Sequence, residues 1–358
     1  MTYAFAAAGT GGHVYPALAI ADELVACGVD RKEIVFFGGD RMEATTVPAA
    51  GYRFVGVEIR GLQRSLTLDN VKLPALVLRA RRAIAAELER TGTRVVTAFG
   101  GYVSGPAALA ARRVGATLFL HEQNAVPGLA NKLIGRWAEK CFVAFPAAAS
   151  ELPRADVVGN PVRRVFTTFD RHALRVEARK RYDLSADLTV LGVLGGSLGA
   201  RVLNETTQRI ADGVDPSRVG IVHLTGANHY DAVRAVAEAS GIRWRTVPFE
   251  REMEHFYAAS DLVLGRAGAL TISELAATST PSVVVPLAAV AQEGNARFLA
   301  DAGAAVIVPE VEIDRVPTEV EQLLVDEARR DAMAQRAGAQ ARVDAAAAVA
   351  SALMEAAG

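Results

Sequence analysis

The sequence predicts an α/β protein built from two Rossmann-like domains with parallel sheets facing across a cleft. Three observations carry that prediction. Apolar, strand-like runs alternate with helical stretches along most of the 358 residues, the alternation of a parallel sheet with helices on both faces. The length exceeds one ordinary hydrophobic core and suits two. An apolar run followed by a glycine turn and a helix start also occurs twice, at residues 9–12 and 195–199, opening halves of similar size.

In the first half the strands read at 2–8, 33–37, 94–99, 117–121 and 140–145. Helical stretches lie between them at 17–27, 73–89, 106–113 and 128–139. The pattern pauses at 157–166, where Asn160-Pro161 signals a turn and a boundary. It restarts at 188–204, with further strands at 219–224, 243–247, 262–264, 282–285 and 305–308. The domains therefore read as 1–162 and 163–340, and the alanine-rich helix at about 341–358 is expected to pack back on the first.

Composition narrows the class. Hydrophobic residues make up 51% and charged residues 22%, the balance of a soluble globular chain. A net charge of -1 offers no global basic field for nucleic acid. Cys27 and Cys141 stand far apart, outside any metal-ligand spacing, so a disulfide framework is not expected and a reducing cytoplasm fits. Residues 1–8 lack a basic start, so no signal peptide is expected, and no run of about 18 uncharged apolar residues suggests a span.

The glycine turns suit a phosphate, because backbone N–H groups without a Cβ in the way approach an oxyanion closely and a helix N-terminus adds partial positive charge. A redox dinucleotide site would need a third glycine and an acidic residue after the second strand. Here the turn reads Gly9-Thr10-Gly11-Gly12-His13 without that glycine, and Asp40 follows Gly38-Gly39. A second constellation follows the 117–121 strand: His121, Glu122, Gln123 and Asn124, at the strand end where open α/β sheets bind ligands. Ser104 and Pro106 mark a helix start. Thr271 and Glu274 form a T-x-x-E capping box, with a ribose-binding carboxylate as the functional reading of Glu274. Gln292 and Asn295 open another helix with amides suited to sugar hydroxyls.

In order along the chain stand GTGGHVYPALAIADEL, GGYVSGPAALAA, HEQNAVPGLANK, VVGNPVR, GGSLGA, GALTISELAA and QEGNA. Together they resemble the MurG family, the N-acetylglucosaminyltransferases of bacterial peptidoglycan synthesis. The resemblance implies a GT-B fold and UDP-N-acetylglucosamine as donor. It implies undecaprenyl-linked lipid I as acceptor, with inverting transfer to the muramyl 4-hydroxyl giving lipid II, and no obligatory metal or other cofactor. On donor positions it places Thr10, Gly11, Gly12, Asn124, Arg163, Ser197, Gln292, Asn295 and the stretch Ala269, Leu270, Thr271, Ile272, Ser273 and Glu274. Uracil is expected against backbone near Glu250. His13, Tyr102, His121, Glu122 and Asn131 are expected on the acceptor side. Leu198 stands where the family commonly has glutamine, Ala8 replaces a frequent glycine, and 287–291 is more apolar than in relatives.

The reaction needs a stabiliser for the departing diphosphate, for which the second turn and Arg266 are suited, and a base for the acceptor hydroxyl. His13 is the first candidate base or else a ligand of the lipid pyrophosphate, with His121 or Glu122 as the rival base. The stretch 71–88 carries Leu73, Leu76, Val77, Ala80, Ile84 and Leu88 at helical spacing, beside Lys72, Arg79, Arg81 and Arg82. That stripe either lies on an anionic membrane surface or faces the core; the resemblance favours the membrane. It also implies a peripheral place on the cytoplasmic face of the cell membrane and partners among cell-wall synthesis or division proteins. The alternatives are a diacylglycerol glycosyltransferase, a UDP-N-acetylglucosamine 2-epimerase, a nicotinamide-dependent oxidoreductase, or a silent nucleotide-sugar binding protein.

Overall fold

A computed structural model describes residues 2–58 and 73–358. The chain forms two compact units, Met1–Arg163 with Val343–Gly358, and Arg164–Arg342.

The first unit holds a sheet of β1 (Thr2–Ala6), β2 (Ile34–Gly38), β3 (Arg53–Gly56), β4 (Thr93–Ala98), β5 (Thr117–Glu122), β6 (Lys140–Val143) and β7 (Ala155–Val157). All neighbours are parallel, in the order β3-β2-β1-β4-β5-β6-β7. The edge strands β3 and β7 escaped the sequence reading because they are short and half-exposed, without the continuous apolar run of a doubly covered strand. One face packs Ile84 and Leu88 against Val96, Leu118 and Leu120. The other buries Phe5, Phe36, Phe99, Phe119 and Phe142 beneath the helix Gly11–Ala26 and the helix Ala345–Ala357, which contributes Val349 and Leu353.

Two helical expectations change. The helix Gly11–Ala26 begins six residues ahead of the expected start, so Gly11, Gly12 and His13 form its first turn. The helix Leu73–Thr91 turns Ala80, Ile84, Ala85 and Leu88 into the core, so most of the stripe read as a membrane face is a packing face. Its burial removes more apolar surface from water than an exposed position could. Val71 and Lys72 lie outside the described residues.

The second unit repeats the plan with β8 (Thr189–Leu194), β9 (Val219–Leu224), β10 (Arg243–Val247), β11 (Leu262–Gly265), β12 (Ser282–Val284) and β13 (Ala305–Ile307). Its order is β10-β9-β8-β11-β12-β13, again parallel. Leu191, Val193, Ile221, Leu262, Leu264 and Val283 form its core with Leu203 and Ile210 of the helix Arg201–Gly213. In each unit the strand order reverses at one place, between β1 and β4 and between β8 and β11. Such a switch point leaves a crevice beyond the carboxyl ends of the strands, and each glycine turn lies there.

Each unit also buries a histidine. Burial lowers the pKa of His121 from 6.5 to about 4 and that of His223 from 6.5 to about 3. The unfolded chain therefore binds more protons than the folded one between these values and pH 6.5, and stability falls as pH drops through that window. From pH 7 to pH 5 each unit should lose about 2 kcal/mol, read as a fall in the urea midpoint; a flat midpoint refutes it.

Candidate active site

At the first switch point the loops after β1, β2 and β4 meet around His13. The helix Gly11–Ala26 starts from Thr10, whose side chain makes no capping bond; the His13 N–H donates to the Thr10 carbonyl at 3.1 Å, and the N–H groups of Gly11 and Gly12 are the ones suited to an anion. His13 Nδ1 lies 2.9 Å from the Ala8 carbonyl oxygen. A carbonyl only accepts, so Nδ1 carries the proton and Nε2 keeps its lone pair. Desolvation lowers the His13 pKa against the raising influence of Ala8, Glu122 and Glu43, so the ring is neutral near pH 7. Gly101 permits this contact: its φ is +74°, and a Cβ there would lie 2.6 Å from the Ala8 oxygen.

The loop after β5 is organised by Glu122, which is 2% exposed. Its Oε1 accepts from the Asn124 backbone N–H at 2.9 Å and the Asn124 amide at 3.2 Å. Oε2 accepts from the Gly128 N–H at 3.1 Å and from Asn131 at 2.8 Å. Four donors occupy both oxygens, so in this structure Glu122 clamps the loop. His121 is also engaged. It is fully buried, stacked on Phe99 with centroids 6.0 Å apart, donates from Nε2 to the Gly159 carbonyl at 3.0 Å and meets the Gln123 amide at Nδ1. Both ring nitrogens are engaged inside the unit. The Tyr102 hydroxyl donates to Glu43 at 3.1 Å, and its pKa is raised to about 12 by burial and that carboxylate. Arg163 closes the first unit and is half-buried.

At the second switch point the turn 195–199 leaves Ser197 and Leu198 exposed. The helix Ala269–Ala277 points its N-terminus beyond β11, with Gly268 as the residue before it. Thr271 is thus the third residue inside this helix, which corrects the capping box: an extended Gly268 starts the helix earlier than the motif implies. Glu274 instead accepts from the Tyr257 hydroxyl at 2.9 Å. Leu270, Thr271 and Ser273 are half-buried, whereas Ala269 and Ile272 are buried. Asn295 is fully buried and donates to the Ala267 carbonyl at 3.2 Å, so it supports the loop before Ala269. Gln292 Oε1 accepts from the Leu287 N–H at 3.0 Å, closing the apolar loop on itself. The Glu250 carboxylate accepts from Tyr182 at 2.8 Å and from Arg181 at 3.1 Å, which leaves only its backbone for a base. Arg266 is paired with Glu310 and donates to the Val285 carbonyl, so its charge is already matched inside the unit.

Both halves carry a matching family signature. Residues 3–143 match the glycosyltransferase family 28 N-terminal domain and residues 190–349 its C-terminal domain. The UDP-N-acetylglucosamine--N-acetylmuramyl-(pentapeptide) pyrophosphoryl-undecaprenol N-acetylglucosamine transferase of Methylococcus capsulatus is 38% identical over 360 residues, 98% of each chain. The protein of that name from Acidithiobacillus ferrooxidans is 39% identical, covering 99% of this chain and 97% of its own. The crystal structure of Acinetobacter baumannii MurG matches with a TM-score of 0.79 at 28% identity, over 99% of this chain and 100% of the other. The chain belongs to the MurG family.

In this MurG-family chain two features of the first site were not legible in sequence. Glu43, fully buried, joins the loops after β1, β2 and β4 through Gly9, Gly39 and Tyr102. No motif marks it, since a lone carboxylate in a short helix reads as a solvated face. The second is a run of exposed apolar side chains after β5, Val126, Leu129, Leu133 and Trp137, at 47%, 71%, 51% and 41%. Its helical spacing of three, four and four residues was the available signal.

Proposed function

We propose that this protein transfers N-acetylglucosamine from UDP-N-acetylglucosamine to the 4-hydroxyl of the muramyl sugar of lipid I, with inversion, giving lipid II. One observation carries the reading: relatives at 38% and 39% identity over nearly the whole chain bear that transferase name. The geometry supports it with a glycine turn ahead of a helix at each switch point and one histidine, His13, whose Nε2 has a lone pair to offer. In the reaction His13 Nε2 takes the hydroxyl proton as the acceptor oxygen attacks the anomeric carbon. The bond from that carbon to the diphosphate breaks, and UDP leaves with the electron pair. The turn 195–199 and the N-terminus of the helix Ala269–Ala277 supply N–H groups for the developing charge, a role that asks for no metal. Incubation with UDP-N-acetylglucosamine and a lipid I analogue tests the assignment. Disaccharide and UDP in equal amounts, undiminished by EDTA, are expected. Epimerised sugar, or no product despite UDP binding, would reject it in favour of an epimerase or a silent binder.

The acceptor is lipid-borne, and among the described residues no helix is long and apolar enough to cross a membrane. The face of Val126, Leu129, Leu133 and Trp137 suits a peripheral contact on the cytoplasmic leaflet. Arg136 is exposed beside it, and the Arg112 guanidinium stacks 4.7 Å from the Trp137 ring, an apolar patch with a basic rim suited to anionic headgroups. Changing Leu129 and Leu133 together to Glu should weaken sedimentation with phosphatidylglycerol vesicles at least about tenfold and leave UDP affinity unchanged. Undiminished sedimentation would refute this face. The reaction serves wall growth, and hence cell shape and division, and sets wall-synthesis and division proteins among the expected partners.

A further inference from the structure

Glu43 touches no face open to substrate, yet it is one amide away from the candidate base. Its Oε2 accepts from the Gly9 N–H at 3.2 Å, and its Oε1 accepts from the Gly39 N–H at 3.0 Å and from the Tyr102 hydroxyl at 3.1 Å. The Gly9 N–H and the Ala8 carbonyl belong to the same peptide unit. That carbonyl is the partner of His13 Nδ1, at 2.9 Å. The two groups of a trans amide point in opposite directions, so carboxylate and imidazole grip one peptide from its two sides. A carboxylate on the N–H polarises the amide and enriches its carbonyl oxygen, and hydrogen bonds in such a chain strengthen one another. The richer oxygen holds the Nδ1 proton more firmly and favours the imidazolium that forms when Nε2 gains a proton.

We propose that Glu43 is a positioning residue for His13, acting through the Ala8–Gly9 peptide to fix its tautomer and raise its basicity. A peptide is thus interposed where other histidine bases bond a carboxylate directly. The inference rests on His13 being the base. The other groups that face this histidine are Glu122 at the end of β5, Asn131 of the helix Leu129–Ile134, and Tyr102, near which Asp40 and Arg41 lie. Glu122 acts across space and makes no bond to the Ala8–Gly9 peptide, so the two carboxylates are separable.

The test follows the His13 imidazole by NMR in the full chain, a readout independent of turnover. In Glu43→Gln the His13 titration should move to lower pH by about half a unit. The acid limb of kcat/KM should follow it, and plateau kcat should fall about tenfold with the donor KM unchanged. In a His13→Ala background the same change should remove no further activity. An unmoved titration in folded Glu43→Gln protein, or an equal loss in both backgrounds, would overturn the proposal. Tyr102→Phe is the milder second variant. Stripped of one donor, the carboxylate pulls harder on Gly9 and the titration should rise, so a fall or no change refutes the link even if Glu43→Gln does not fold. Full turnover in His13→Ala alongside a shifted titration in Glu43→Gln would remove His13 as base while leaving the link intact.

Discussion

His13→Ala is expected to lower kcat by roughly 10²- to 10⁴-fold, the usual worth of a positioned general base, with the KM for UDP-N-acetylglucosamine little changed. The size follows from the local geometry. Nδ1 is committed to the Ala8 carbonyl, desolvation holds the ring neutral, and the Glu122 oxygens are filled by four donors. With His13 gone, none of the neighbouring side chains described here has a free lone pair of similar basicity. The pH profile gives the same test in another form. A lowered pKa leaves His13 unprotonated at pH values where an ordinary histidine already carries a proton, so the acid limb of kcat/KM should fall below pH 6.5. Near-normal turnover at saturating substrate in His13→Ala would show that the proton leaves by another route.

Gly199→Ala is the second large effect, expected on the proposed donor side. Gly199 has a φ of +75°, and a Cβ there would collide with the carbonyl of Thr225. The clash is with backbone, so neither partner gives way without opening the turn after β8 or the end of β9. The turn's backbone would then be displaced, and each hydrogen bond to a charged group lost with it costs about 1.5–3 kcal/mol. UDP affinity should fall at least about tenfold, measured by calorimetry, while the first unit's unfolding transition stays in place. Binding of UDP at wild-type strength would mean that the diphosphate sits elsewhere.

The doubly wound plan was legible because buried parallel strands carry continuous apolar runs such as 34–37 and 283–285, and because both glycine turns fall at strand ends. The edge strands β3 and β7 were not, since one-sided burial does not require that run. His13 stood out from its place in the glycine turn. The true condition of His121, Glu122, Asn295 and Arg266 did not. A polar residue after a strand looks the same in sequence whether it faces a ligand or holds a loop, and only the partners separate the two. Glu122 spends its carboxylate on Asn124, Gly128 and Asn131, and Arg266 spends its charge on Glu310. The T-x-x-E motif misled for a related reason, because Gly268 begins its helix without a side-chain cap.

The last helix belongs to the unit that the chain begins with, where Val349 and Leu353 cover the helix that carries His13. The intervening stretch, Arg164–Arg342, is contiguous. During synthesis the later-encoded lobe can thus finish folding first, while the earlier one waits with an uncovered apolar flank until the helix Ala345–Ala357 has emerged. A nascent chain stalled before that point would hold a folded second lobe alongside a His13-bearing helix that lacks its cover.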